Sequence, residues 1–232
     1  MISILKTKLR NIFLNYGRTN LIIQEFNLKK NISYCWGMKK SGKYLINNRE
    51  ILKLTFLEDG FIHSFGVNKA KIPISISYDE NGIFYDYKSD SSLFSYIRES
   101  LGLEEYLRSK NIIKLWKENN ISKYNYPNFI IPPKEPFILL IDQTKGDLSI
   151  EFGGANLSSF EKMYKFAINK WPDHKIVIKI HPDVIKSLKE GCIHKSLFKN
   201  KKIIVISQIG QINMLIQASS AVCVVTSQVG FE

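Results

Sequence analysis

The feature that most constrains this chain is the alternation that runs from Phe137 to Glu232. Phe137-Ile138-Leu139-Leu140-Ile141 is a short apolar run between Pro136 and a polar, glycine-bearing stretch. That is the pattern of a parallel strand buried on both faces. It delivers Asp142-Gln143-Thr144-Lys145-Gly146-Asp147 at its carboxyl end. Ser158 and Glu161 stand at capping-box spacing for a helix through Phe160, Tyr164, Ala167 and Ile168. The helix must end before Trp171-Pro172, because a residue that precedes proline avoids helical dihedrals. Residues 175–180 form a second strand and deliver His181-Pro182-Asp183. Residues 202–206 are a third strand. Residues 221–225 are a fourth, delivering Thr226-Ser227-Gln228-Val229-Gly230-Phe231-Glu232. The fold class is therefore α/β. Open α/β sheets bind ligands outside the carboxyl ends of their strands, so polar residues at each strand end point to a site. Pro182 is placed like a first-turn helix proline, which puts His181 at a helix N-terminus, where the dipole favours an anion. Taken singly, His181 could be only a cap and Asp147 only a turn residue. Together on adjacent strands they favour a site.

The first half carries weaker signals. Residues 31–36 read as a strand, 37–42 as a loop and 42–48 as the start of a helix. Gly42-Lys43 does not make a phosphate-binding Walker loop, because the glycine spacing is wrong. Residues 51–57 are a further strand, ended by Glu58-Asp59-Gly60. These adjacent carboxylates are an acid/base pair if partly buried, or an exposed turn, since Asp-Gly is a common turn dipeptide. Residues 74–78 and 83–85 flank Asp79-Glu80-Asn81-Gly82, a hairpin turn signal. Ser91 or Ser92 caps a helix through Leu93, Tyr96, Ile97 and Leu101, and residues 104–118 form another. Residues 119–136 are polar and carry Pro127, Pro132, Pro133 and Pro136. The domain reading is 1–126, a linker at 127–136, and 137–232.

Charge narrows the partners. The 33 Lys and Arg against 21 Asp and Glu give +12, which suits nucleic acid, an anionic membrane surface or an acidic substrate. The lysines are scattered and no nucleic-acid module is recognisable, so nucleic acid is the weakest of the three. Three cysteines, Cys35, Cys192 and Cys223, lack metal-ligand spacing, and their odd number argues against a disulfide framework. A reducing cytoplasm is the expectation. Residues 1–14 mix apolar residues with Lys and Arg. They lack a signal-peptide core and read as a docking helix or a basic surface helix.

Six segments in order carry a resemblance. Trp36-Gly37-Met38-Lys39-Lys40-Ser41-Gly42, Glu58-Asp59-Gly60-Phe61-Ile62 and residues 79–86 in the first half resemble segments of bacterial capsule polysaccharide biosynthesis proteins, the β-Kdo transferases of the capsule glycolipid linker. So do residues 142–150, Lys179-Ile180-His181-Pro182-Asp183-Val184 and Thr226-Ser227-Gln228-Val229-Gly230-Phe231-Glu232. The resemblance implies a GT-B-like fold, two Rossmann-like halves facing each other, the second incomplete. The first half would serve the acceptor and the second the nucleotide sugar. It implies retaining transfer of Kdo from CMP-Kdo to a lipid-linked glycan at the inner membrane. Asp147 would be the nucleophile, and Glu58 or Asp59 the acceptor base. Gln143 would orient Asp147 or the sugar. Lys179 and His181 would face the CMP phosphate or the Kdo carboxylate, Thr226 and Ser227 the phosphate, and Glu232 the ribose. No Asp-x-Asp triplet occurs, so no metal and no cofactor beyond the donor is expected. Capsule export or assembly proteins are further partners that the resemblance suggests. The location is cytoplasmic, peripheral to the membrane. The family pattern continues past Gly-Phe-Glu, which suggests a truncated chain. Other readings are a sialyltransferase-like enzyme, whose Glu-Asp-Gly and His-Pro motifs are similar, and an inactive remnant that binds only nucleotide or anionic glycan.

Overall fold

A computed structural model describes residues 32–38, 53–64 and 74–232 of the chain. The readings at residues 1–14, 39–42, 42–48 and 51–52, and that of the Cys35 side chain, lie outside the described residues. The chain is α/β and divides into two compact units, Met1–His63 with Asn68–Ser100, and Ser64–Val67 with Leu101–Glu232.

In the first unit, β1 (Ile32–Trp36) pairs in parallel with β2 (Lys53–Asp59), and β2 pairs antiparallel with β3 (Ile76–Asp79). β2 runs further than expected. Glu58 and Asp59 lie in the ladder opposite Ser77 and Ile76 and are half-buried, so the exposed-turn alternative does not hold. The expected hairpin across residues 79–82 does not form, because 83–85 is not a strand. Asp79 instead accepts the Asn81 and Gly82 N–H groups at 2.8 and 3.3 Å, the habit of aspartate in turns. Its other oxygen takes the Ser92 N–H at 2.6 Å. Asp79 thus satisfies the first turn of α1 (Ser92–Arg98), and the Ser91 side chain makes no cap bond.

In the second unit, α2 (Leu103–Glu118) starts after Gly102, whose N–H donates to Glu105 at 2.8 Å. The stretch 119–136 is tied to this unit by bridges Ser64–Tyr124 and Phe129–Gln211, and Ile130 is buried. A parallel sheet follows, made of β4 (Phe137–Ile141), β5 (Lys175–Lys179), β6 (Ile203–Ile206) and β7 (Ala221–Cys223), in the order β6-β5-β4-β7. Every residue of β4 is buried, because apolar clusters cover both of its faces. Ile138, Leu140, Ile176 and Ile178 pack with Phe160, Met163 and Ala167 of α4 (Leu157–Lys170). Phe137, Leu139, Ile141 and Val177 pack with Ile130 and with Leu215 of α6 (Asn213–Ala218). The two short helices α3 (Leu148–Phe152) and α5 (Pro182–Ile185) follow β4 and β5.

Asn156, not Ser158, caps α4. Its side chain accepts the Ser158 N–H at 2.9 Å, and Glu161 pairs with Lys165 instead of closing a capping box. The chain moves from β4 outward to β5 and β6, then returns to the opposite side of β4 as β7. The strand order therefore reverses between β4 and β7, the kind of position where α/β sheets open a crevice for a ligand.

Candidate functional site

The reversal is held by side chains from both loops. Gln143 follows β4 and is 4% exposed. Its Oε1 accepts the Thr226 N–H at 3.2 Å and its Nε2 donates to Thr226 Oγ1 at 3.1 Å. The backbone N–H can only donate, which fixes the amide orientation. Ser149 Oγ lies 3.5 Å from Gln143 Nε2 and 3.4 Å from Thr226 Oγ1. Gly153 permits this approach, because a Cβ there would meet Thr226 Cγ2 at 2.7 Å. Gln143 is thus a brace between the loops after β4 and β7.

Asp147 sits four residues beyond Gln143. Gly146, at φ +77°, turns the chain just before it, a conformation glycine adopts without steric cost. Asp147 is extended and caps α3, accepting the Ser149 N–H at 3.0 Å through Oδ1.

The end of β5 and the turn after it bring Lys179 and His181. Lys179 is 5% exposed, and its ammonium donates to the Ile180 carbonyl at 2.7 Å. Burial pulls its pKa down to about 8. His181 Nδ1 accepts the Asp183 N–H at 3.1 Å, so the neutral ring carries its proton on Nε2. Burial lowers the His181 pKa. Asp183 and Asp147 oppose that shift, while Lys189 and Lys179 add to it. Asp147 and Lys179 each lie within electrostatic reach of His181. One expectation changes. α5 has only four residues, so its dipole is small, and His181 itself occupies the N–H that an anion would take. The donors left at this strand end are the His181 Nε2–H and the Lys179 ammonium.

The remaining expected residues lie as follows. Ser227 caps a 3-10 turn at Gln228–Gly230, its Oγ accepting the Val229 N–H at 3.3 Å. The Glu232 carboxylate accepts from Ser122 Oγ at 2.8 Å and from the Lys123 N–H at 3.0 Å. Burial raises its pKa against those bonds. Glu58 and Asp59 belong to the first unit. Glu58 accepts from the Tyr85 hydroxyl at 3.2 Å and from the Asp59 N–H at 3.0 Å. Asp59 Oδ1 lies 3.3 Å from Nδ1 of His63. Gly37, at φ +57°, leaves room for Glu58, since a Cβ there would come within 2.8 Å of its Oε2. Asp142, Ser149, Gly191 and Tyr85 were not singled out as site residues in the sequence. Among the described residues no cluster of three or more His, Cys, Asp or Glu side chains could hold a metal ion. No described helix is long and apolar enough to cross a membrane.

Residues 106–232 match the family described as capsule polysaccharide biosynthesis protein. Over 186 residues the chain is 34% identical to capsule polysaccharide modification protein LipA of Neisseria meningitidis serogroup A, covering 76% of this chain and 26% of LipA. It superimposes on the beta Kdo 2,4 transferase of Thermosulfurimonas dismutans KpsC with a TM-score of 0.75 and 31% identity, over 85% of this chain and 64% of that one. The beta Kdo 2,7 transferase of the same KpsC gives a TM-score of 0.62 at 23% identity, over 97% of this chain and 71% of that one, a likeness of fold. The chain thus spans about a quarter of the length of LipA and less than two thirds of the 2,4 transferase structure.

Proposed function

The chain belongs to the capsule polysaccharide biosynthesis protein family, and from that premise we propose that it moves Kdo from CMP-Kdo onto a lipid-linked glycan, with retention at the anomeric carbon. The observation that carries this reading is the set of side chains around one strand-order reversal. Asp147, Gln143 and Thr226 stand with Lys179 and His181 at the carboxyl ends of β4, β5 and β7, in a chain 31% identical in sequence to a beta Kdo 2,4 transferase.

In the first step, an Asp147 oxygen attacks the anomeric carbon of Kdo, and CMP leaves with the electrons of the broken C–O bond. In the second, an acceptor hydroxyl displaces Asp147, and its proton passes to a carboxylate. Glu58 and Asp59 are the carboxylates assigned to the acceptor. The Lys179 ammonium and the His181 Nε2–H hold the CMP phosphate or the Kdo carboxylate, where buried donors are worth more than in water. Thr226, oriented by Gln143, supplies a hydroxyl to the phosphate. Ser227 and Glu232 complete the donor side at the phosphate and ribose. The fold is GT-B-like, and the transferase works without metal, in the cytoplasm and against the inner face of the membrane. It hands its product to capsule assembly proteins.

The test is release of CMP from CMP-Kdo by the chain, with and without a lipid-linked acceptor. CMP release that rises with acceptor supports transfer. Binding without release would make the chain a nucleotide binder. One substitution probes the donor side. Losing a hydrogen bond to a charged phosphate costs about 1.5–3 kcal/mol, so His181→Ala should weaken CMP binding about ten-fold or more. Calorimetry showing unchanged affinity would remove His181 from the donor site.

A further inference from the structure

We propose that Asp142 is a positioning residue, whose buried carboxylate clamps the segment that carries Asp147 and thereby sets where Asp147 stands. This rests on the transferase reading of Asp147.

Asp142 directly follows β4 and is 2% exposed. Its N–H continues the sheet ladder by donating to the Lys179 carbonyl at 3.0 Å. One carboxylate oxygen, Oδ1, accepts three backbone N–H groups, from Gln143 at 3.0 Å and from Cys192 and Ile193 at 2.9 Å each. The chain beyond then runs as a short antiparallel pair. The Cys192 N–H donates to the Gln143 carbonyl at 2.9 Å, the Lys145 N–H to the Glu190 carbonyl at 2.8 Å, and Thr144 bridges Gly191. The Lys145–Glu190 ion pair at 2.8 Å lies on the exposed side, where such pairs add little. Burial raises the Asp142 pKa, and the three N–H bonds oppose that shift.

Residues 181–190 leave the end of β5 at His181 and return at this clamp. A single carboxylate therefore joins the loop bearing Asp147 to the returning end of the excursion bearing His181. Gly191 is shaped by the same group. A Cβ on it would overlap the Asp142 carboxylate. Its φ lies outside the left-handed region, so the glycine is required by the carboxylate and not by the backbone. The overlap is with Oδ2, and the three bonds to Oδ1 hold the carboxylate in place, so it cannot swing away as a flexible side-chain end would.

Displacing a reacting group by about 1 Å can cost about a hundred-fold in rate. Asp142→Ala and Gly191→Ala should each lower kcat for Kdo transfer at least about ten-fold, with KM for CMP-Kdo changed by less than about three-fold. The double variant is diagnostic. If Gly191→Ala acts by pushing the carboxylate aside, it should cost nothing further once Asp142 is alanine. A purely structural residue would lower the folded fraction and leave kcat per folded molecule, measured by active-site titration, unchanged; that result overturns the proposal. Fully additive losses in the double variant would also overturn it.

Amide hydrogen exchange separates this idea from the transferase reading. In Asp142→Ala the Lys145 and Asp147 amides should exchange at least about ten-fold faster, while those of β4 and β5 keep their protection. That holds whether or not the chain transfers Kdo. Unchanged protection at Lys145 and Asp147 would refute the clamp, whereas absence of transfer by the wild-type chain would refute the transferase reading alone.

Discussion

Asp147→Asn should reduce Kdo transfer at least about a thousand-fold, with the fold and CMP affinity retained. An amide is a far weaker nucleophile than a carboxylate, and without the covalent intermediate the two-step retaining route is closed. The substitution is structurally mild for a stated reason. Asp147 caps α3 through one oxygen, and asparagine caps about as well as aspartate. The melting temperature should therefore stay within a few degrees. CMP affinity should stay within a few-fold, because the phosphate is assigned to Lys179, His181 and Thr226. Transfer kinetics, thermal melting and calorimetry on one preparation make the comparison. Transfer within ten-fold of wild type would remove Asp147 from the mechanism.

Lys179→Met should raise stability while weakening donor binding, a pairing expected of a residue kept for function. The buried ammonium gives up its proton at about 8, against 10.5 for an ordinary lysine. The unfolded chain therefore binds more protons between those two values, and stability rises with pH across that window. Below about pH 8 the full penalty is present. The difference corresponds to about 3 kcal/mol. Methionine keeps most of the side-chain volume without the charge. It also leaves the Ile180 carbonyl without the bond from Lys179, which takes back about 1 kcal/mol. A net gain of roughly 1–3 kcal/mol is expected near neutral pH, and it should shrink as pH rises from 8 to 10.5. CMP affinity should fall about ten-fold or more, because a charge-assisted bond to phosphate is lost. A destabilised Lys179→Met, or one that binds CMP normally, would contradict the assignment.

The sheet of the second unit was legible because its strands allow little else. Residues 137–141 and 176–178 are apolar runs too short for helices, bounded by proline or polar residues, and β4 is indeed buried throughout. What escaped the sequence is what depends on distant residues. The 79–82 turn signal was real, but Asp79 spends its oxygens on Asn81, Gly82 and Ser92, and no second strand follows. Asn156 displaced Ser158 as the cap of α4 because its carbonyl oxygen already takes the Ser158 N–H. The Gln143–Thr226 brace spans 83 residues, and the Asp142–Cys192 bond spans 50. No local pattern announces such pairs. Gln143 was expected to orient Asp147 or the sugar, and its side chain is instead committed to Thr226 and Ser149. His181 was correctly placed beyond β5, but a helix of four residues cannot supply the dipole assumed for it.

The most direct measurement is peptide-mapped mass spectrometry after the chain is incubated with CMP-Kdo alone, without acceptor. The nucleophile reading predicts Kdo bound to the peptide that contains Asp147, appearing as CMP is released and absent from Asp147→Asn. Release of CMP with no Kdo on that peptide, or Kdo attached to another residue, would contradict it.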